Sequence, residues 1–174
     1  MPVSIERFRL PRYREIPDVG LYLDQTVKYI NHYLEPIGLP ELTLSMVSNY
    51  VKKGYITSPV KKQYSADQIC CLFCYAIIKT VLPMDHIARL QQRLRELYPF
   101  DQAYDAFCIE LEICLRKAFN AEEETYPEVS NHIREDDLLR GVTAAVTNVI
   151  FLTARIEALL TTEAQGPARL SDGK

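Results

Sequence analysis

The ten prolines of this 174-residue chain fall mostly between its apolar-periodic stretches and not within them. Proline removes a backbone donor and clashes with the preceding helical turn, so each one marks a place where a helix cannot continue. With only six glycines besides, the stretches left between prolines are long and compatible with helix, and the fold class this predicts is all-α. Hydrophobic residues make up 48% of the chain, which is enough to bury a core and excludes a disordered chain.

Residues 1–17 carry Arg7, Arg9, Arg12 and Arg14 around Pro11 with neither a helical nor a strand period, and read as an extended basic arm. From Asp18, an N-cap residue type, Val19, Leu23, Val27, Ile30 and Leu34 recur at three or four and predict a helix ended by Pro36, Gly38 and Pro40. A short helix follows from Ser45 to Lys53, with Leu44, Val47 and Val51 inward and Gly54 as its C-terminal cap. Tyr55-Ile56, a turn at Thr57-Ser58-Pro59 and the run Val60 to Tyr64 then suit a small β-hairpin with a basic tip, the shape of a wing. Ser65 and Gln68 make a capping box that opens an apolar helix through Ile69, Leu72, Phe73 and Ile77. Pro83 stops that helix and starts another, carrying Met84, Ile87, Leu90, Leu94 and Leu97, which Pro99 closes. Residues 18–99 thus read as one module.

Residues 100–165 predict two long helices, from Asp101 to Asn120 and from Glu135 to Glu163, separated by the acidic segment Glu122 to Arg134; the tail 166–174 is expected to be disordered. In the last helix Val142, Val146, Val149, Thr153, Ile156 and Leu160 alternate spacings of four and three, the seam of a coiled coil. Leu139, Ile150, Leu152 and Leu159 form a second apolar face. A helix apolar on two sides must be covered on two sides, so a homodimer through this helix is expected. The alternative is a helix at the centre of a monomeric bundle.

A net charge of -3 argues against binding nucleic acid over the whole surface, but the charge is unevenly distributed. Residues 1–62 hold nine basic against six acidic side chains, and residues 63–174 eleven against seventeen. Between residues 43 and 62 the four lysines have no acidic neighbour in sequence.

Five cysteines in apolar stretches, without a signal peptide, point to reduced thiols and a cytoplasmic protein. Cys71 and Cys74 have metal-ligand spacing, but inside an apolar helix free cysteine behaves as a small hydrophobe, so no metal is expected. The weakly charged run Gly141 to Ala154 is too short to cross a bilayer. No Gly-rich phosphate loop, G-x-S-x-G elbow or H-E-x-x-H motif is present, and the acids Glu122, Glu123, Glu124 and Glu128 beside Pro127 read as a solvated loop. The expectation is a protein without cofactor that is not an enzyme.

The order of parts, with Tyr50 and Gly54 four apart, Lys62 two before Tyr64, and Asp67, Ile69 and Leu72 opening the next helix, resembles the winged helix-turn-helix head of MerR-type regulators. Ser48 stands where that family usually has arginine, and the first helix and its link are longer. The arginine-bearing start together with Asn49-Tyr50-x-x-Lys53-Gly54-Tyr55-Ile56 resembles the bacterial family called domain of unknown function 1836. That likeness implies a MerR-like head and no known activity.

In a helix-turn-helix the second helix enters the major groove while basic side chains on helix and wing neutralise phosphates. On that reading Ser45, Ser48 and Asn49 face base edges, Lys52, Lys53, Lys61 and Lys62 meet phosphates, and Tyr50 packs or touches phosphate. The arm's arginines would enter a minor groove, or else meet an acidic surface, including that of the chain's own C-terminal part. The partner is double-stranded DNA, in a transcriptional regulator. In a rival reading the winged helix is a protein-interaction module presenting Tyr50 and Tyr55. A small-molecule effector is a further expectation, with Tyr104, Phe107, Phe119 and Phe151 as an apolar lining.

Overall fold

The computed structural model describes residues 7–120 and 135–164. The acidic segment Glu122 to Arg134 and the tail after Gly166 lie outside the described residues, as do the side chains of Leu139, Ile156, Leu159 and Leu160. Among the described residues there are six α-helices and one two-stranded antiparallel sheet, so the chain is mostly helical. No described helix is long and apolar enough to cross a membrane.

Helix α3, Ala66–Ile78, is the centre of the fold, and every side chain from Gln68 to Ile78 is buried. A helix apolar all round must be surrounded. Around it pack α1 (Leu23–Leu34), α4 (Met84–Leu97), α6 (Glu135–Ala164) and a 3-10 turn at Tyr13–Glu15. Its start is the expected capping box. Ser65 N donates to Gln68 Oε1 at 2.8 Å, and Gln68 N donates back to Ser65 Oγ at 3.4 Å. The core is continuous from Phe8, through α3, to Leu115 and Ile150.

Helix α1 begins at Leu23 and not at Asp18. Gly20, at φ 77°, breaks the helical run, and Leu21–Tyr22 is drawn off as strand β1 to pair with β2, Gln63–Tyr64. A Cβ on Gly20 would lie 3.1 Å from the Cβ of Gln63, so this close approach needs glycine as well as the positive φ. Val19, expected on the inward face, is consequently exposed.

The expected hairpin is also corrected. Tyr55 and Ile56 do not pair with the Val60 to Tyr64 run, because their amides donate to Tyr50 O and complete the C-terminal cap of α2, Leu44–Lys52. Gly54 at φ 77° is the left-handed residue of that cap, as its position predicts. The chain reverses at Lys61-Lys62, where Gln63 N donates to Val60 O at 2.9 Å, and not at Thr57-Ser58-Pro59. The strand that leaves this turn pairs with β1, some forty residues earlier in the chain.

The N-terminal stretch is not a free arm over the residues described. Phe8, Leu10 and Ile16 are buried in the core. Arg12 forms a two-pronged pair with Glu112 of α5 (Phe100–Asn120), both contacts at 2.7 Å, and Leu10 N donates to the same carboxylate at 2.9 Å. Tyr13 N donates to Asp105 Oδ1 and Tyr13 Oη to Asp67 Oδ1, while Tyr104 Oη donates to Pro11 O. The stretch is a strap across α3 and α5.

Helices α5 and α6 run parallel, because their contacts advance in the same sense: Glu110 with Arg140, Cys114 with Thr143, Phe119 with Phe151. The buried stripe of α6 is Val142, Val146 and Ile150, a row of fours, with Thr143 and Thr147 beside it. Rows at i±4 are the ridges by which straight helices pack. The expected seam is therefore divided: Val142 and Val146 face in, whereas Val149 and Thr153 are exposed along with Leu152.

Candidate functional site

The position of α2 is set by its connection to α1. Asn31 Nδ2 donates to Leu42 O and Leu42 N donates to Asn31 Oδ1, both at 2.8 Å, so one side chain clamps the incoming backbone on two sides. Thr43 Oγ1 then caps the helix by accepting from Met46 N at 3.2 Å. This fixes the rotation of α2 so that Val47 and Tyr50 are buried. Leu44, expected inward, is 48% exposed as the first residue of the helix.

Ser45, Ser48, Asn49 and Lys52 are all exposed along the outward face of α2, and Lys53, the C-cap residue, is exposed beside them. None of Lys52, Lys53, Lys61 and Lys62 takes part in an ion pair among the described residues. Of the two roles expected for Tyr50, packing is the one observed. Tyr50 is 6% exposed, its ring packs against Tyr55 at 6.5 Å and Tyr75 at 5.8 Å, and burial raises its pKa. It shapes the site from beneath and cannot present a contact surface. Tyr55 is half-buried, and its hydroxyl donates to Asp85 of α4.

Lys61 and Lys62 are exposed at the tip of the turn, at φ 50° and φ 65°. Two successive residues at positive φ define the tight hairpin turn that ordinarily takes Asn-Gly, because a side chain at such angles is strained. Two lysines here cost about 1 kcal/mol or more in backbone strain. The segment behind the tip is held by Gln68, whose Nε2 donates to Thr57 O at 2.7 Å and to Thr57 Oγ1 at 3.1 Å. Asn31 and Gln68 position the whole surface. Sequence pattern passes over Asn31 and reads Gln68 only as a cap.

Of the arm's arginines, Arg12 is committed to Glu112, and Arg9 pairs with Glu15 at 2.8 Å, while Arg7 and Arg14 are exposed. The side-chain hydrogen bond to Glu112 raises the Arg12 pKa and keeps it charged.

The family model for Domain of unknown function (DUF1836) matches residues 11–107, more than half of the chain. The chain belongs to this family. The matched span of this DUF1836 protein runs from Pro11 in the strap to Phe107 in α5 and contains every residue of the α2 face and the lysine turn. No curated protein and no solved structure matches the chain.

Four thiols are buried in the centre of this DUF1836 protein's core, three of them within the matched span and Cys108 just beyond it. Cys70, Cys71 and Cys74 of α3 and Cys108 of α5 have their pKa values raised by burial, Cys108 to about 12. Such thiols are protonated at neutral pH and act as apolar filling. Among the described residues no group of three His, Cys, Asp or Glu side chains is placed to hold a metal ion. Of the expected aromatic lining, Tyr104 and Phe107 border a cavity, whereas Phe119 and Phe151 pack on each other at 5.2 Å.

Proposed function

We propose that this protein is a DNA-binding regulator, with α1 and α2 as a helix-turn-helix of MerR-like type and the Lys61-Lys62 turn as its wing. The observation that carries the reading is the pairing state of the four lysines. Lys52 and Lys53 lie beside an outward polar face made of Ser45, Ser48 and Asn49, Lys61 and Lys62 are exposed at the turn, and no carboxylate partners any of the four among the described residues. On this reading Asn49 pairs with a base edge, the serines add shorter contacts, and the lysines neutralise phosphates. Retaining lysines at strained turn positions fits a tip whose charge matters more than its backbone preference.

Two copies would bind a two-fold site, joined through the face of α6 that the described residues leave exposed. Val149 and Leu152 are exposed there, and the sequence continues that spacing with Ile156. Phe119 meets Phe151 one residue before α5 ends, so α6 continues to Ala164 beyond its partner helix. A second copy of the same helix supplies a matching apolar seam.

A protein partner is the second reading, favoured by one observation: Val19, Tyr22 and Val60 are exposed around the strand pair. It loses Tyr50, which is buried. Fluorescence anisotropy of a random-sequence duplex separates the two. Binding that falls steeply between about 50 and 200 mM salt supports the regulator, because each neutralised phosphate releases counterions. No binding at low salt sinks it and leaves the protein partner.

A further inference from the structure

Between α3, α4 and α5 the structure leaves a partly open cavity of about 40 Å³. One water needs roughly 10–15 Å³ on this measure, so the space is larger than a single solvent site. Its walls are almost wholly apolar, with Ile78, Leu90, Leu94 and Phe107 among them, yet Gln91 and Arg95 also border it. These two lie four apart on α4 and so project from one helix face, one above the other.

Both are donors short of acceptors. Gln91 Nε2 is buried without a hydrogen-bond partner. Its amide acts on the Cys74 thiol, opposing the larger effect of burial, but no hydrogen bond of acceptable geometry joins them. The Arg95 guanidinium stacks over the Phe100 ring at 4.0 Å and sends one nitrogen to Cys71 Sγ at 3.2 Å. A neutral thiol is a weak acceptor, and Arg95 has no carboxylate partner among the described residues. An apolar hollow bordered by a fixed cation and an unpaired amide donor is complementary to an apolar molecule carrying one anionic acceptor group.

We propose that this cavity binds a small monocarboxylate, a short aliphatic or aromatic acid whose apolar end enters the hollow from its open side. Its carboxylate accepts from Arg95 at the rim and from Gln91 Nε2 further in. A neutral molecule leaves Arg95 unpaired, an amine meets it with like charge, and an inorganic anion leaves the apolar walls unfilled. Every residue of the argument lies inside the family match, and the inference does not require the head to bind DNA.

The test uses the full chain with hexanoate and benzoate as probes and hexylamine as the control, read by thermal unfolding and isothermal titration. At least one acid should raise the melting temperature by several degrees at saturation, with no rise from the amine. Arg95→Gln, a change at an exposed side chain, should weaken binding at least tenfold. Ala103→Leu, which fills the hollow from α5, should abolish binding while the free variant melts no lower than about the parent. The proposal is overturned if neither acid binds, if hexylamine stabilises equally, or if Arg95→Gln binds as tightly as the parent. An Ala103→Leu variant that folds and still binds fully also overturns it. All these readouts leave the DNA-binding reading untouched.

Discussion

The N-terminal strap and the α2 surface with its turn each carry four basic residues, and the structure uses them in opposite ways. In the strap, Arg12 is turned inward onto Glu112 and Arg9 is matched by Glu15, so half of its charge is spent on holding the chain's own parts together. On α2 and the turn, none of the lysines is in an ion pair among the described residues, and the acids nearest in sequence lie outside residues 43–62. A count of basic residues ranks the two regions equally. What distinguishes them is where the opposite charges lie, and for Arg12 that partner is a hundred residues away.

Arg12→Ala should produce the largest effect and should confine it to stability. Glu112 is 4% exposed, so removing its partner leaves a buried carboxylate with, among the described residues, only the Leu10 amide on it. Breaking a buried pair in this way costs about 3–5 kcal/mol, a large share of the roughly 5–15 kcal/mol that holds a domain together. Urea unfolding should show the drop, and the folded variant should bind duplex DNA as the parent does. A variant of unchanged stability would mean that the strap is not fastened by this pair.

The contrast also marks what can be read from sequence. The Ser65–Gln68 capping box and the Gly54 cap are legible because all their atoms lie within a few residues of one another. The strand pairing is not, since two-residue strands carry too little periodicity to show that Gln63–Tyr64 meets Leu21–Tyr22. The rotation of α2 is set by Asn31 gripping the Leu42 backbone, a contact with no sequence signature, and it leaves Tyr50 buried and Leu44 exposed. In α6 the spacing alone admits both a row of fours and an alternation of four and three, and packing on α5 selects the row of fours. The exposed part of the candidate surface was legible because its polar residues interrupt an apolar period.

Asn49→Ala should have a smaller effect of a different kind. The side chain is exposed and supports nothing beneath it, so stability should be unchanged within about 0.5 kcal/mol. If asparagine reads a base edge, the variant should lose roughly 1–3 kcal/mol of discrimination between a selected site and random duplex. Its affinity for random duplex should barely move. Competition titrations on the two duplexes measure that difference, and an equal loss on both would assign Asn49 to the phosphates or to nothing.

The smallest change in energy gives the sharpest contrast, because it moves stability and binding in opposite directions. Replacing Lys61 and Lys62 by Asn and Gly keeps the turn and removes both the charge and the strain of two side chains at positive φ. Stability should rise by about 1 kcal/mol. If both lysines meet phosphates, affinity should fall about equally on all sequences, and the salt slope should flatten by about 1.8, since each contact contributes about 0.9. A rise in stability with unchanged DNA binding would mean that the turn is strained for some other purpose. A fall in stability would mean that the lysine side chains hold the tip through contacts of their own. Only the joint outcome, a firmer turn and weaker binding, makes the lysine turn the counterpart of the arginine strap, with its charge directed outward and its strain retained for binding.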